Sequence, residues 1–148
     1  MSYQNKMKVR FLAVSENESF ARVCIASFCS VLNPTLDELT DVKTAVSEAV
    51  TNAVVHAYPN KKGDVEIAAE ICENEIYITV SDYGIGISDI EKAREPFFTT
   101  NPTKERSGMG FTVMEGFMDK VIVESIEGKG TSITLIKRFG KAEVAIGG

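Results

Sequence analysis

No run of about 18 apolar residues occurs anywhere in this 148-residue sequence, so no stretch of it has the character of a membrane-spanning helix. The opening MSYQNKMKVR lacks the apolar core of a secretion signal, and a cytoplasmic location is the expectation. An excess of basic residues is missing too. The 16 Lys and Arg against 21 Asp and Glu leave a net charge of −5, which argues against a surface built to neutralise a nucleic-acid backbone. Cysteine is scarce: Cys24, Cys29 and Cys72 are odd in number and unclustered. That excludes a disulfide framework or a thiolate metal site and reads as reduced, mostly buried thiols. Repeats and low-complexity segments are absent, and so is any GxxxxGK followed by Ser or Thr, which rules out the common phosphate loop.

What is present is ordinary globular material. Hydrophobic residues at 44% and charged ones at 25% support one soluble domain over 1–148, with a core at 8–138 and a frayed tail at 139–148. KVRFLAV (8–14) has strand composition. Ser15 and Glu18 have capping-box spacing ahead of a first helix, in which Phe20, Val23, Cys24, Phe28, Val31 and Leu32 recur at helical spacing. Thr35 and Glu38 offer a second capping box, opening a helix expected to run to about Ala57. DVEIAAEIC (64–72) and EIYITVSD (75–82) alternate with period two and predict a hairpin, as do KVIVESI and TSITLIKRF around EGKG. Residues 84–107 show no period, and a loop that long inside a compact domain is usually functional. GMGFTVMEGFM (108–118) reads as a short helix, with Met109, Met114 and Met118 as its core residues. The expected fold is a two-layer α/β sandwich, with a mixed, mainly antiparallel sheet and about three helices on one face.

The chemistry-bearing residues fall into three groups. Val42, Ala45, Val46, Ala49, Val50, Ala53, Val54 and Ala57 make a continuous apolar helix face, bordered by Glu48, Asn52 and His56 four residues apart. An amide and an acid on adjacent turns suit phosphoryl transfer without a phosphate loop. Asn52 offers a neutral oxygen to Mg²⁺, and Glu48 a base for an attacking hydroxyl. His56 reads as a structural hydrogen-bonding residue. Asp82, ending its strand, has a carboxylate suited to an amino group such as that of adenine, and Gly84 and Gly86 would let the backbone approach a flat base. Gly108 and Gly110 lie at a helix start, where free N–H groups favour phosphate. A dinucleotide site is disfavoured, because an antiparallel hairpin precedes the glycines and Asp89 stands at the third glycine position.

EAVTNAVVHAY (48–58), DYGIG (82–86) and SGMGF (107–111) resemble the N, G1 and G2 boxes of the Bergerat-fold, or GHKL, ATPases. Together with SENESFARV, LTDVKTAVSEAVTNAVVHAY and FFTTNPTKERSGMGFTVMEGFMDKV, they narrow the resemblance to the anti-sigma F factors of spore-forming bacteria, a family of serine kinases. It covers roughly residues 8–138. The resemblance implies ATP and Mg²⁺ as cofactors, with Asn52 as metal ligand and Glu48 as catalytic base. Asp82, Gly84 and Gly86 would lie at adenine, Thr99 and Thr100 in a lid, Gly108, Met109 and Gly110 at phosphate, and Arg106 at the terminal phosphate. Lys104 and Arg106 read equally as a solvated pair. Ser107 and Ala57 depart from the superfamily's glycines at those places. The implied partners are sigma factor F, which is bound and silenced, and an anti-anti-sigma factor phosphorylated on a serine. A homodimer is expected as well, with Arg22 a candidate partner contact, and neither nucleic acid nor membrane is implied. Two alternatives stay open: a nucleotide-dependent binding switch that transfers no phosphate, and a stress-response switch kinase acting on another sigma factor.

Overall fold

The computed structural model describes residues 4–87 and 110–140. Strand β1 (Gln4–Leu12) begins and ends earlier than its apolar run alone indicates. Helix α1 (Asn17–Cys29) follows, and two expectations about it change. Glu16, not Ser15, occupies the N-cap, so Glu18 sits one position too early for a capping box; Ser15 receives the Glu18 N–H on its backbone carbonyl instead, at 3.1 Å. The buried face is also not the expected one. Ala21, Ile25 and Cys29 are buried, while Phe20, Val23 and Val31 stand 45%, 67% and 51% exposed. Small Ala21 and Cys29 let α1 pack closely on the next helix, whereas Phe20 lies edge-on to Phe11 of β1, ring centres 5.8 Å apart. Phe28 and Leu32 remain partly buried against the core.

Helix α2 (Leu36–Asn52) opens on the capping box its sequence announces. Thr35 Oγ1 accepts the Glu38 N–H at 3.1 Å, and Glu38 Oε1 accepts the Thr35 N–H at 2.8 Å. Val42, Ala45, Val46, Ala49 and Val50 face the core. The α-helix does not reach Ala57. The Ala53 N–H is shared between the carbonyls of Ala49 and Val50, and Ala53–Ala57 continue as a π-helical turn. The wider i→i+5 turn breaks the four-residue repeat, so His56 does not extend the Glu48–Asn52 row at α-helical spacing.

Strands β2 (Asp64–Cys72) and β3 (Glu75–Asp82) form the first hairpin, and β4 (Lys120–Ile126) and β5 (Gly130–Arg138) the second. Helix α3 (Gly110–Phe117) lies between the hairpins in sequence and buries Phe111 and Met114, with Met118 just beyond it. The sheet order is β1-β2-β3-β5-β4, and every described pairing is antiparallel rather than mixed. The cause is topological: β3 and β4 run the same way, but β5 inserts between them and pairs with both. One face of the sheet, carrying Ile67, Ile71, Ile76, Ile78, Ile133 and Leu135, meets the helices, with α2 packed between α1 and α3. Burial pushes the Cys29 thiol up to about 12 and raises that of half-buried Cys24, but Cys72, beside the hairpin turn, is exposed against expectation. At the far end, Phe139 is buried and the Gly140 N–H donates to Glu38 Oε2 at 2.9 Å, so the chain is anchored through 140. Among the described residues, no helix is long and apolar enough to cross a membrane.

Candidate functional site

Asp82 is the last residue of β3 and one of two buried polar side chains among the described residues, at 7% exposure; the other is Thr131, at 4%. They are neighbours across the β3–β5 junction. Asp82 Oδ1 accepts the Gly84 N–H at 3.0 Å and the Thr131 N–H at 3.2 Å. One carboxylate oxygen is therefore fixed by the protein itself, which sets the direction of the other. Burial raises the Asp82 carboxyl above the ordinary aspartate value, and the two N–H donors only partly offset it. Thr131 Oγ1 in turn shares a hydrogen with Ser125 Oγ at 2.8 Å, and Ser125 Oγ takes the Ile87 N–H at 2.7 Å. Nothing local in the sequence marks Thr131 and Ser125; only the pairing of distant strands brings them to Asp82.

The packing of the chain itself requires the glycines after Asp82. A Cβ on Gly84 would lie 2.0 Å from the Ala57 carbonyl oxygen, and one on Gly86, at φ +78°, 2.5 Å from the Ile126 carbonyl oxygen. Both places are filled by backbone, so on the side where a Cβ would stand these glycines allow a close approach of chain against chain. The same packing fastens the Asp82 loop to the end of the π turn. The Ile85 N–H donates to the Ala57 carbonyl at 2.9 Å, and the Tyr83 N–H to the Tyr58 hydroxyl at 2.8 Å.

Glu48 and Asn52 lie about one turn apart at the C-terminal end of α2, both half-buried, and thus share a helix face about 6 Å from each other along the axis. Gly110 is placed at the first residue of α3. Thr99, Thr100, Lys104, Arg106, Gly108 and Met109 lie outside the described residues, as does most of the 84–107 loop. Arg22 is half-buried on α1, with its guanidinium bonded to Ser47 Oγ of α2 and to Ser19 Oγ, each at 3.0 Å. It therefore sits beside the helix turn that carries Glu48. Among the described residues, no three His, Cys, Asp or Glu side chains cluster as a metal cage. A single amide ligand beside a phosphate-bound ion needs no such cage.

The family model described as "Histidine kinase-like ATPase domain" matches residues 13–137. An anti-sigma F factor of Clostridium acetobutylicum is 61% identical over 140 residues, 95% of this chain and 98% of that one. One from Geobacillus kaustophilus is 56% identical over 141 residues, 95% and 97% of the two chains. Among solved structures, the catalytic domain of the histidine kinase ThkA superposes with a TM-score of 0.57 at 20% identity, covering 90% of this chain and 96% of that one. The RsbU and RsbW domains of a Mycobacterium tuberculosis protein give 0.67 at 19% identity, over 91% of this chain but 32% of that longer one. These two likenesses concern the fold alone. With a matched ATPase domain and relatives this similar over nearly their whole length, the chain belongs to the anti-sigma F factor family of histidine kinase-like ATPase domains.

Proposed function

We propose that this chain, acting as a single domain, binds Mg·ATP, silences sigma factor F, and phosphorylates a serine of the anti-anti-sigma factor that would otherwise release it. The observation that carries the nucleotide reading is the Asp82 carboxylate: buried at a strand end, one oxygen held by two backbone N–H groups and the other left to choose its partner. An ionised carboxylate accepts and does not donate, so it selects a base with an amino group at that edge. When bound, Mg·ATP supplies an electrophilic terminal phosphoryl group. Asn52 would ligate the metal through its amide oxygen, and the Gly110 end of α3 would offer free N–H groups to phosphate oxygens. Glu48 takes the proton from the incoming serine hydroxyl as the oxygen attacks, a role that needs a carboxylate and not merely a hydrogen-bonding group. Arg106, Thr99, Thr100, Gly108 and Met109 belong to this proposal on their sequence positions alone. Arg22, fixed to Ser47, is proposed as a contact for the protein partners, and the working form is proposed to be a homodimer.

The deciding experiment uses labelled ATP, Mg²⁺, the candidate antagonist and the Glu48→Gln variant. General-base catalysis contributes about 10²–10⁴-fold, so transfer should fall at least about a hundredfold while ATP affinity and sigma-factor binding persist. Mapping the label to a serine of the antagonist supports the kinase reading. No transfer by the wild type to any antagonist would instead leave a nucleotide-gated binding switch.

A further inference from the structure

Tyr58 plays no part in the chemistry above, yet its hydroxyl lies at a junction. It accepts the Tyr83 N–H at 2.8 Å and donates to the Asp64 carbonyl at 2.6 Å. Burial, with the nearby Asp82 and Asp64 carboxylates, pushes this phenol above its ordinary value, so it stays protonated and keeps its donor. The ring lies where only glycine permits: a Cβ on Gly63 would come within 2.1 Å of Tyr58 Cε1. On the far side, the Arg10 guanidinium sits 5.0 Å above the Tyr83 ring and bonds Asp64 Oδ2 at 3.1 Å, so β1, the start of β2 and the Asp82 loop close into one circuit.

The need for this circuit follows from the sheet. Asp82 is the last paired residue of β3, and beyond it the chain leaves the ladder, so the Tyr83 and Ile85 N–H groups have no strand to bond. Both go to consecutive residues at the end of the π turn, Tyr58 through its side chain and Ala57 through its carbonyl. That turn is the direct continuation of the helix carrying Glu48 and Asn52. We propose that Tyr58 is a positioning residue for the nucleotide base: with the Ala57 carbonyl, its hydroxyl holds the Asp82 loop at a fixed spacing from the Glu48–Asn52 end of α2. The span between base and phosphate sites is thereby set by two hydrogen bonds to the π turn rather than by either site alone. This inference rests on the ATP reading for its functional half. Its structural half does not.

The test has two arms. In nucleotide-free protein, amide hydrogen exchange read by NMR should show Tyr83 protected in the wild type and at least about tenfold less protected in Tyr58→Phe, which keeps the ring and deletes the hydroxyl. In calorimetry, Tyr58→Phe should bind Mg·ATP about threefold to tenfold more weakly, the scale of one neutral hydrogen bond, and bind Mg·tripolyphosphate, which has no base, as the wild type does. Gly63→Ala, which drives a methyl into the Tyr58 ring, should give the same pair of results. Equal weakening of both ligands would mark a general loss of fold and overturn the positioning role, as would unchanged Tyr83 protection. If the wild type bound no ATP, the nucleotide reading and this residue's role in it would both fall, while the exchange arm would still decide whether Tyr58 fastens the loop.

Discussion

Replacing Asp82 by asparagine separates what the carboxylate contributes to binding from what it costs the fold. The Gly84 and Thr131 N–H groups, at 3.0 and 3.2 Å, will hold the amide oxygen where Oδ1 now lies, which forces the NH₂ group into the place of Oδ2. There it meets the amino group of adenine donor to donor. A hydrogen bond to a charged group contributes about 1.5–3 kcal/mol, so ATP affinity should fall about tenfold to a hundredfold. Guanine presents an acceptor oxygen where adenine presents its amino group, so GTP should gain relative to ATP. The fold should not suffer. Because burial raises the folded-state value of Asp82, its ionised form opposes folding. That cost is absent below the ordinary aspartate value, grows as pH rises toward the folded-state value, and is fully present above it. A neutral amide avoids it, so at pH 7 Asp82→Asn should melt at or above the wild-type temperature. Calorimetry with both nucleotides, alongside thermal unfolding at pH 5 and 7, makes the check. Unchanged ATP affinity would remove Asp82 from the base site; a melting temperature several degrees lower, with both nucleotides lost, would refute the anchored-amide argument.

Other consequences are open to simpler measurements. Gly84→Ala should destabilise the fold by about 1–3 kcal/mol in urea titration, since its methyl would meet the Ala57 carbonyl and the loop must shift. Thr35→Ala removes one half of the α2 capping box and should cost about 0.5–2 kcal/mol, whereas Ser15→Ala, whose side chain caps nothing, should be close to neutral. Burial acts to raise the Glu38 carboxyl, but hydrogen bonds from Thr35 and Gly140 and the charge of Lys137 hold it below the ordinary value. Its share of stability should therefore be present above the ordinary glutamate value and be lost as pH falls through the lower folded-state one, a slope that acid titration of Glu38→Gln should lack. A homodimer should appear in sedimentation as mass rising from monomer to dimer with concentration, and a constant monomer at high micromolar levels would refute it.

The parts of the fold legible in the sequence are those with local causes. Thr35 and Glu38 satisfy each other's backbone within four residues, and both hairpins carry period-two alternation on either side of a short turn. Helix α1 is apolar on two sides, and counting apolar residues rewards bulky Phe20 and Val23 over small Ala21 and Cys29. The structure chooses the small side, since there the α1 backbone can approach α2. The π turn was invisible because Ala53, Val54, Val55 and Ala57 are apolar in any register, so one extra residue per turn leaves no mark on the pattern. At the candidate site, the places of Asp82 at a strand end and of Glu48 and Asn52 near a helix end are readable from local pattern. Those of Thr131 and Tyr58 are not, because their significance comes from which distant backbone groups they meet.

The Asp82–Thr131 bond joins residues 49 apart in sequence, across the one seam where the two hairpins meet. Each hairpin can form from its own neighbourhood, on a timescale of about 1–10 μs, but the seam must first overcome the entropy of closing a long loop. Gly130 belongs to the same late event: at φ +127°, its missing side chain leaves room for the Asp82 carbonyl, which a Cβ would meet at 2.1 Å. The acceptor proposed to read the base is therefore not merely inside the folded protein but made by the step that unites its halves. On that proposal, a half-formed chain, with both hairpins intact and the seam open, would have no means of recognising adenine. Nucleotide present during refolding should accordingly leave the folding rate unchanged and slow only the reverse reaction, because it meets its acceptor after the seam has closed.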